Sequence, residues 1–183
     1  MKKLILTFVV ASLLLGSLDA AEPSFGKGDK VLNLGLGLGS SYWIGYGWYT
    51  SHMPHLFANM EIGFFENVFN LDKASIGIGP YVGFRTSKYA NYWKDTEIVI
   101  AATGNFHYPL VDKLDTYAGV LLGYDIISTK YYDEYWGDYG HKNSSIAHRE
   151  YVGARYYFTN NFSAMAELGY GLTVLNLGIA LKF

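Results

Sequence analysis

Hydrophobic and polar side chains alternate along the last ten residues of the chain, VLNLGIALKF. Every second residue from Leu175 to Phe183 is hydrophobic, and the residues between them are Asn, Gly, Ala and Lys. A period of two is typical of a β-strand, because successive side chains point to opposite faces. The apolar face reaches the end of the chain, where a water-soluble sheet would have to cover it with a second layer. The pattern therefore favours a strand that faces lipid.

Seven further segments alternate in the same way. They are residues 31–39, 57–66, 74–85, 96–108, 116–127, 148–158 and 163–170. About ten residues at roughly 3.3 Å each, tilted near 40°, project to about 25 Å, which is the height of the apolar band of a membrane barrel. In lipid, strands satisfy all their backbone hydrogen bonds only in a closed ring. We therefore predict an all-β fold, a closed eight-stranded antiparallel up-and-down transmembrane β-barrel.

The N-terminus has the pattern of an export signal. Lys2 and Lys3 precede a hydrophobic run over residues 4–15, and small residues follow as far as Ala20. This order predicts a signal peptide at residues 1–20 and a mature barrel domain at residues 21–183. The chain has no Cys, which excludes a cysteine lipid anchor and disulfides. A net charge of −2 gives no indication of a nucleic-acid partner.

The predicted connections alternate between long and short. The long ones, residues 40–56, 86–95 and 128–147, are expected outside the cell, and the short turns and both termini in the periplasm. Aromatic residues concentrate in the long ones, and part of this signal is a membrane-interface girdle. The aromatic residues that a girdle does not explain predict recognition of a sugar, lipopolysaccharide, a cation or a host protein. The candidate recognition residues are Trp43, Trp48, Trp93, Trp136 and Tyr135.

Charged residues on the inner faces must pair with each other, because the interior of an eight-stranded barrel is just wide enough for side chains to fill it. A hairpin that turns at Asn160 and Asn161 would bring Arg155 opposite Glu167. A similar count places Arg85 near Glu97, and Glu61 extends the network. We predict that these residues form structural ion pairs in the lumen rather than a gate or a proton path.

The sequence does not favour an enzyme or a metal site. A deacylase barrel needs a His and a Ser close together at the membrane edge. The nearest pairing is His141 with Ser144 and Ser145, and it falls in a predicted polar loop. His52 and His55 are three residues apart, with no Cys or helix nearby, which is a poor zinc signal. We therefore predict no catalytic, cofactor-binding or metal site.

The C-terminal strand also carries a motif: a polar residue, a Gly two later, a hydrophobic residue three after that, and a terminal aromatic. Asn176, Gly178, Leu181 and Phe183 hold these positions. The motif resembles the C-terminal assembly signal of bacterial outer-membrane barrels, which implies binding to the barrel assembly machinery. With the export signal and eight strands, the mature chain resembles the OmpA-like transmembrane domain and the OmpX-like proteins.

This resemblance implies a non-enzymatic scaffold in the outer membrane that displays its loops and contacts outer-membrane lipid and lipopolysaccharide. Two alternatives stay open. The first is a narrow channel or a lateral-opening transporter for small or apolar solutes, for which Pro80 in the third strand is the supporting feature, because a missing ladder hydrogen bond weakens a wall. The second is an enzyme that modifies lipid A.

Overall fold

The computed structural model describes residues 25–40, 51–90, 92–132 and 139–183. In this part of the chain no helix is long and apolar enough to cross a membrane. A single 3-10 turn, Val68–Asn70, precedes the fourth strand. The strands are β1 Lys30–Leu38, β2 Ser51–His52, β3 His55–Glu66, β4 Ser75–Tyr89, β5 Trp93–Val111, β6 Leu114–Tyr131, β7 Tyr139–Tyr157, β8 Phe162–Gly171 and β9 Leu175–Lys182.

The eight long strands close into a ring. β1 pairs antiparallel with β3 on one side and with β9 on the other, and each remaining long strand pairs with the next along the chain. The two-residue β2 pairs only with β4 and extends that side of the sheet. Closure leaves the ring without a free edge, so its backbone groups are paired within the sheet. The ring confirms the predicted fold class.

The paired positions are staggered around the ring. From Ala154 on β7, successive register partners lead through β8, β9, β1, β3, β4, β5 and β6 and return to β7 at Ser144, ten residues nearer its start. Such a stagger accompanies the strand tilt that closing a barrel requires. We call the end of the ring at which β1 begins and β9 ends the terminal end, and the opposite end the loop end.

The two faces of the ring differ in polarity, as the alternation predicts. Along β8 exposed and buried positions alternate: Leu168 and Tyr170 are exposed, and Met165 and Glu167 are buried. The outer face carries exposed Leu, Ile, Val, Phe and Tyr side chains on every long strand, while the inner face holds Asn, Glu, His, Asp and Arg. The apolar surface is on the outside, and the buried charges are on the inside.

Two predicted loops are mainly strand. Residues 86–95 and 128–147 were expected to be connections, but β4 and β5 reach a tight hairpin there, and β6 and β7 run to Tyr131 and from Tyr139. Beyond the apolar band no lipid face imposes an alternation, so the sequence pattern fades while the backbone ladder continues. Thr, Tyr and Trp in these segments also favour strand conformation.

The residues before β1 close the terminal end of the ring. Gly28 donates its N–H to the Gly63 carbonyl at 2.9 Å, and the Gly63 N–H donates to the Asp29 carbonyl at 2.9 Å. A side chain at Gly63 would collide with the Gly26 carbonyl, so this close crossing requires glycine. A β-bulge follows at once between Gly63 and Phe65. Strict alternation from Glu61 and Gly63 would place Phe65 inside the ring, but the extra residue turns its side chain outward, opposite Ile76.

Candidate functional site

A buried ionic network occupies the terminal half of the lumen. Arg155 donates to Glu61, and its Nη1 donates to Asp115 Oδ2 at 3.2 Å. His107 bridges the same two carboxylates, with Nε2 2.7 Å from Glu61 Oε1 and Nδ1 2.8 Å from Asp115 Oδ1. With Glu61 and Asp115 ionised, both contacts are hydrogen bonds when each ring nitrogen carries a proton, and His107 is then an imidazolium. Two positive groups then balance two carboxylates inside the ring.

We call residues 25–29, which precede β1, the closing segment. Its Phe25 packs against this network from the terminal end. The Phe25 ring lies 4.3 Å from the His107 ring, and the Arg155 guanidinium carbon lies 5.7 Å from the centre of the Phe25 ring. The Phe25 carbonyl accepts a hydrogen bond from Ser75 Oγ at 3.0 Å. Phe25 is buried, and its ring separates the charges of the lumen from the terminal end.

A second network lies nearer the loop end and is centred on Glu167. Arg149 Nη1 donates to Glu167 Oε2 at 2.6 Å, and Asn176 Nδ2 donates to the same oxygen at 3.0 Å. Tyr117 donates its O–H to Glu167 Oε1 at 2.9 Å. The Arg155 guanidinium carbon lies 4.6 Å from the centre of the Tyr117 ring, so this ring connects the two networks.

The expected pairing of Arg155 with Glu167 is therefore wrong. Arg155 lies opposite Met165, while Glu167 lies opposite Gly153. The β7–β8 turn sets this register: the Thr159 hydroxyl accepts the N–H groups of Asn161 at 3.3 Å and Phe162 at 3.1 Å. With this turn, fewer residues separate the paired positions of β7 and β8 than a pairing of Arg155 with Glu167 would require. Arg155 pairs instead with Glu61 of β3 and Asp115 of β6, and Glu167 pairs with Arg149, six residues before Arg155 on β7.

Arg85 and Glu97 lie opposite each other on β4 and β5, and Arg85 Nε donates to Glu97 Oε2 at 3.1 Å. His55 belongs to the same group, with Nδ1 3.7 Å from Glu97 Oε1 and Nε2 3.1 Å from the Tyr81 hydroxyl. These side chains fill the lumen on the side of the loop end. His55 is therefore a lumen residue and not part of a metal-binding loop. No group of His, Asp and Glu in the described parts of the chain has the arrangement of a metal site.

Aromatic rings fill the space between the networks. Tyr151 donates its O–H to Asn105 Oδ1 at 2.6 Å, and its ring packs edge-on against Tyr117. Gly153 provides room for this packing, because a side chain there would meet the Tyr117 ring and Glu167. A cavity between Phe57, Tyr81, Tyr151 and their neighbours has a volume of about 10 Å³, room for about one water molecule.

Of the predicted recognition residues, the structure places Trp93. It begins β5 and packs against Tyr131 at 6.3 Å, and Tyr131 stacks on Tyr139 at 5.0 Å and on His141 at 5.9 Å. These rings form an aromatic cluster across β5, β6 and β7 at the loop end. The remaining candidates lie outside the described residues: Trp43, Trp48, Trp136 and Tyr135.

The nearest sequence pairing for catalysis is not assembled. His141 and Ser144 are three residues apart on β7, so their side chains point to opposite faces. Ser145 lies four residues along the strand from His141, about 13 Å away. The sequence analysis instead missed a polar pair on the outer face, where His148 Nδ1 lies 3.1 Å from Glu150 Oε1. The sequence pattern could have predicted this pair, because both residues fall on the outward positions of the predicted sixth strand.

The residues of the C-terminal motif occupy both faces of β9. Asn176 is buried and bonded to Glu167, whereas Phe183 is exposed at the terminal end. Gly178 lies opposite Gly35 of β1 and Met165 of β8, and a side chain there would meet the Leu34 backbone. The strand that carries the motif is also the one that closes the ring.

Comparison with solved structures identifies the architecture. Ail, the attachment invasion locus protein of Yersinia pestis, crystallised with the heparin analogue sucrose octasulfate, superposes with a TM-score of 0.56 at 13% identity, and the match covers 86% of this chain and 99% of Ail. The fold is that of a small eight-stranded outer-membrane β-barrel. A second crystal structure of Ail gives a TM-score of 0.52 at the same identity and coverage.

The N-terminal β-barrel domain of Pseudomonas aeruginosa OprF is 16% identical, with 87% of this chain and all of that domain covered at a TM-score of 0.46. No protein-family model matches the chain, and a search of curated proteins finds no match either. At these identities the likeness concerns the fold alone.

Proposed function

We propose that this chain is a non-enzymatic outer-membrane β-barrel with a side-chain-filled lumen, whose loop end contacts molecules outside the cell and supports envelope integrity. One observation carries the proposal. The closed ring exposes large hydrophobic side chains on every long strand, while Arg155 with Glu61 and Arg149 with Glu167 are buried, paired charges in its lumen. A ring in water would expose this surface at a large free-energy cost, whereas lipid covers it.

The proposal also includes the orientation of the barrel in the outer membrane. Residues 1–20 direct export and are removed, the terminal end lies in the periplasm, and the loop end lies outside. β9 presents the Asn176 to Phe183 motif to the barrel assembly machinery. Lipid and lipopolysaccharide surround the apolar band. The aromatic cluster and the residues beyond it at the loop end meet an extracellular ligand or host protein. That Ail was crystallised with a heparin analogue makes sulfated polyanions a first class of ligand to test.

Among the described residues, Pro80 does not support the channel alternative. Pro80 lies on the outer face opposite Ala102, and its carbonyl accepts a hydrogen bond from Asn59 Nδ2 at 3.0 Å, so polar groups from the lumen close this point of the wall. The ion pairs and rings that cross the described lumen argue against conductance. We expect no discrete channel steps in planar bilayers, and reproducible steps would favour the channel.

The absence of Cys allows a direct test of location and direction. Lys142→Cys places a thiol at an exposed position of β7 toward the loop end, and Lys113→Cys places one in the β5–β6 turn at the terminal end. A membrane-impermeant maleimide should label Lys142→Cys in intact cells and Lys113→Cys only after the outer membrane is permeabilised. The reverse pattern contradicts the proposed direction, and labelled protein in the soluble fraction contradicts the location.

Folding is tested separately on a gel. The detergent-folded protein should migrate as a compact band without boiling and shift on boiling, as closed barrels do when their strand ladder resists the detergent. Phe183→Ala should fold in detergent in the same way but accumulate less in the outer membrane, because the motif acts in assembly. A soluble monomer in buffer, without any shift, contradicts a membrane barrel.

A further inference from the structure

Two stacked tyrosines lie at the paired ends of β6 and β7. Tyr131 is the register partner of Tyr139, so the two residues lie directly opposite each other on one face of the hairpin. Their ring centres are 5.0 Å apart, and their ring planes differ by 17°. Directly opposite residues of an antiparallel pair have Cβ atoms about 4.5–5.5 Å apart. The strand ladder therefore holds the two phenol rings together.

The pair lies where water and a dissolved oxidant can reach it. Tyr139 is 59% exposed, and Tyr131 is half-buried. Tyr131 lies five residues beyond the exposed Ile126 on β6, which is a rise of about 12 Å along a tilted strand. The two phenols are therefore outside the apolar band, where water can take up a proton from either of them.

A second tyrosine pair, in the lumen, lacks this access. Tyr117 and Tyr151 are only 5% and 7% exposed, and their rings meet edge-on at 6.3 Å. Both hydroxyl groups donate hydrogen bonds to buried acceptors, Tyr117 to Glu167 and Tyr151 to Asn105. Removal of a proton from either phenol would break one of these bonds. The pair at the loop end instead combines register, stacking and exposure.

A covalent link between two strands of this chain has to come from side chains other than Cys, because the chain has none. Two phenols can supply one. Loss of one electron and one proton from each tyrosine gives two phenoxyl radicals, which form a carbon–carbon bond between the ring positions next to their oxygens. The hydrogen on each coupled carbon then moves to the oxygen and restores both phenols. One molecule of hydrogen peroxide accepts the two electrons and two protons and becomes two molecules of water.

We propose that Tyr131 and Tyr139 are an oxidative cross-linking site, at which hydrogen peroxide and a peroxidase join β6 to β7 through dityrosine. The fold favours this coupling because it holds both rings together before either is oxidised. The bond closes residues 132–138 into a covalent loop, so a protease cut within them would leave the two strands joined. The proposal goes beyond the proposed function, but it rests on the orientation proposed there for the place where the oxidant acts, outside the cell.

The test treats the mature protein, folded in detergent, with hydrogen peroxide and a peroxidase, and then uses proteolysis and mass spectrometry. Trypsin cleaves after Lys130 and Lys142, so one peptide, residues 131–142, contains both tyrosines. The cross-link should remove two hydrogen atoms from this peptide. A second cleavage after Glu134 should leave the two halves of the peptide joined, and their fragment ions should assign the bond to Tyr131 and Tyr139. Omission of peroxide should abolish the bond.

Tyr131→Phe and Tyr139→Phe should each abolish the cross-link and its dityrosine fluorescence. The control is Tyr132→Phe, which removes the next hydroxyl group along the chain. Tyr132 is exposed, and its ring centre lies 5.1 Å from Lys130 Nζ. The control should form the cross-link as wild type does, and all three variants should keep the heat-induced gel shift, because the substitutions lie beyond the apolar band. A bond that maps to another tyrosine, or a cross-linked dimer in place of the bond within one chain, overturns the site.

The two proposals fail in different ways. A peroxidase added to intact cells is too large to cross the outer membrane, so it can act on the loop end only from outside. If the purified protein forms the cross-link while thiol labelling and the experiment in cells both place the loop end inside, the proposed orientation fails and the site stands. If labelling places the loop end outside but the purified protein forms no bond between Tyr131 and Tyr139, only the cross-linking site fails.

Discussion

Glu61 on β3 and Arg155 on β7 form an ion pair across the lumen although 94 residues separate them in the chain. Asp115 and His107, both from the β5–β6 hairpin, complete the network around that pair. The contact joins one side of the ring to the other, so it forms only when the barrel is closed. The pair therefore contributes to the stability of the closed ring and not to any single hairpin.

Removal of Arg155 should strongly destabilise the barrel. Arg155→Ala leaves Glu61 and Asp115 buried with only His107 between them, which should lower the free energy of unfolding by about 3 kcal/mol. Urea unfolding in lipid vesicles measures the change. Lys113→Ala in the exposed β5–β6 turn should change little, and the double variant Arg155→Met/Glu61→Gln should recover part of the loss. A loss below 1 kcal/mol would contradict a buried pair.

The closing segment should contribute through Phe25. Phe25→Ala removes a buried ring that packs on His107 and Arg155, which should lower the free energy of unfolding by about 3 kcal/mol. Phe69→Ala is the matched control, because Phe69 is 78% exposed in the β3–β4 connection. The same unfolding experiment applies, and equal effects of the two variants would mean that the segment does not close the ring.

The β7–β8 turn should depend on the hydroxyl of Thr159. Thr159→Ala removes the acceptor for two backbone N–H groups and should lower the free energy of unfolding by about 1 kcal/mol. Thr159→Ser keeps the hydroxyl and should behave like wild type. If the Ser variant loses as much as the Ala variant, the methyl group rather than the hydrogen bonds holds the turn.

Glu150 should reduce the stability of the barrel in lipid. It lies opposite Val120 and Tyr170 on the outer face, where both neighbours are exposed, and its described contact is His148. A charged side chain on the lipid face is unfavourable, so Glu150→Leu should raise the free energy of unfolding in vesicles, by on the order of 1 kcal/mol. Glu150→Gln should give a smaller gain. A loss of stability in both variants would show that the pair with His148 stabilises the fold.

The alternation of the sequence was sufficient to predict eight strands and the faces of their side chains. Lipid on one side and a packed lumen on the other require a period of two, as from Leu32 to Leu38. The ends of the strands were not predictable in this way. Around Lys94 and Lys130 most residues of both faces are polar, so the alternation stops. Pairing with the neighbouring strand then determines whether the ladder continues, and the local sequence does not show that neighbour.

The partners of the lumen charges were predictable only in part. Arg85 and Glu97 lie on one hairpin, and a count from the turn places them opposite each other. Arg155 binds Glu61 across the ring, and that contact depends on the stagger of all eight strands, which no single hairpin contains. Asp115 looked like a turn residue because it follows a polar connection, yet β6 begins one residue before it.

The rim of the barrel is uneven. Three residues connect β8 to β9, whereas β6 and β7 pair as far as Tyr131 and Tyr139, well beyond the apolar band. The distance to which the strands extend at the loop end therefore differs around the ring. A partner that diffuses in the plane of the membrane meets long paired strands on the β5–β7 side. At β8 and β9 it meets only a three-residue connection. Access to the loop end thus depends on the direction of approach as well as on chemistry.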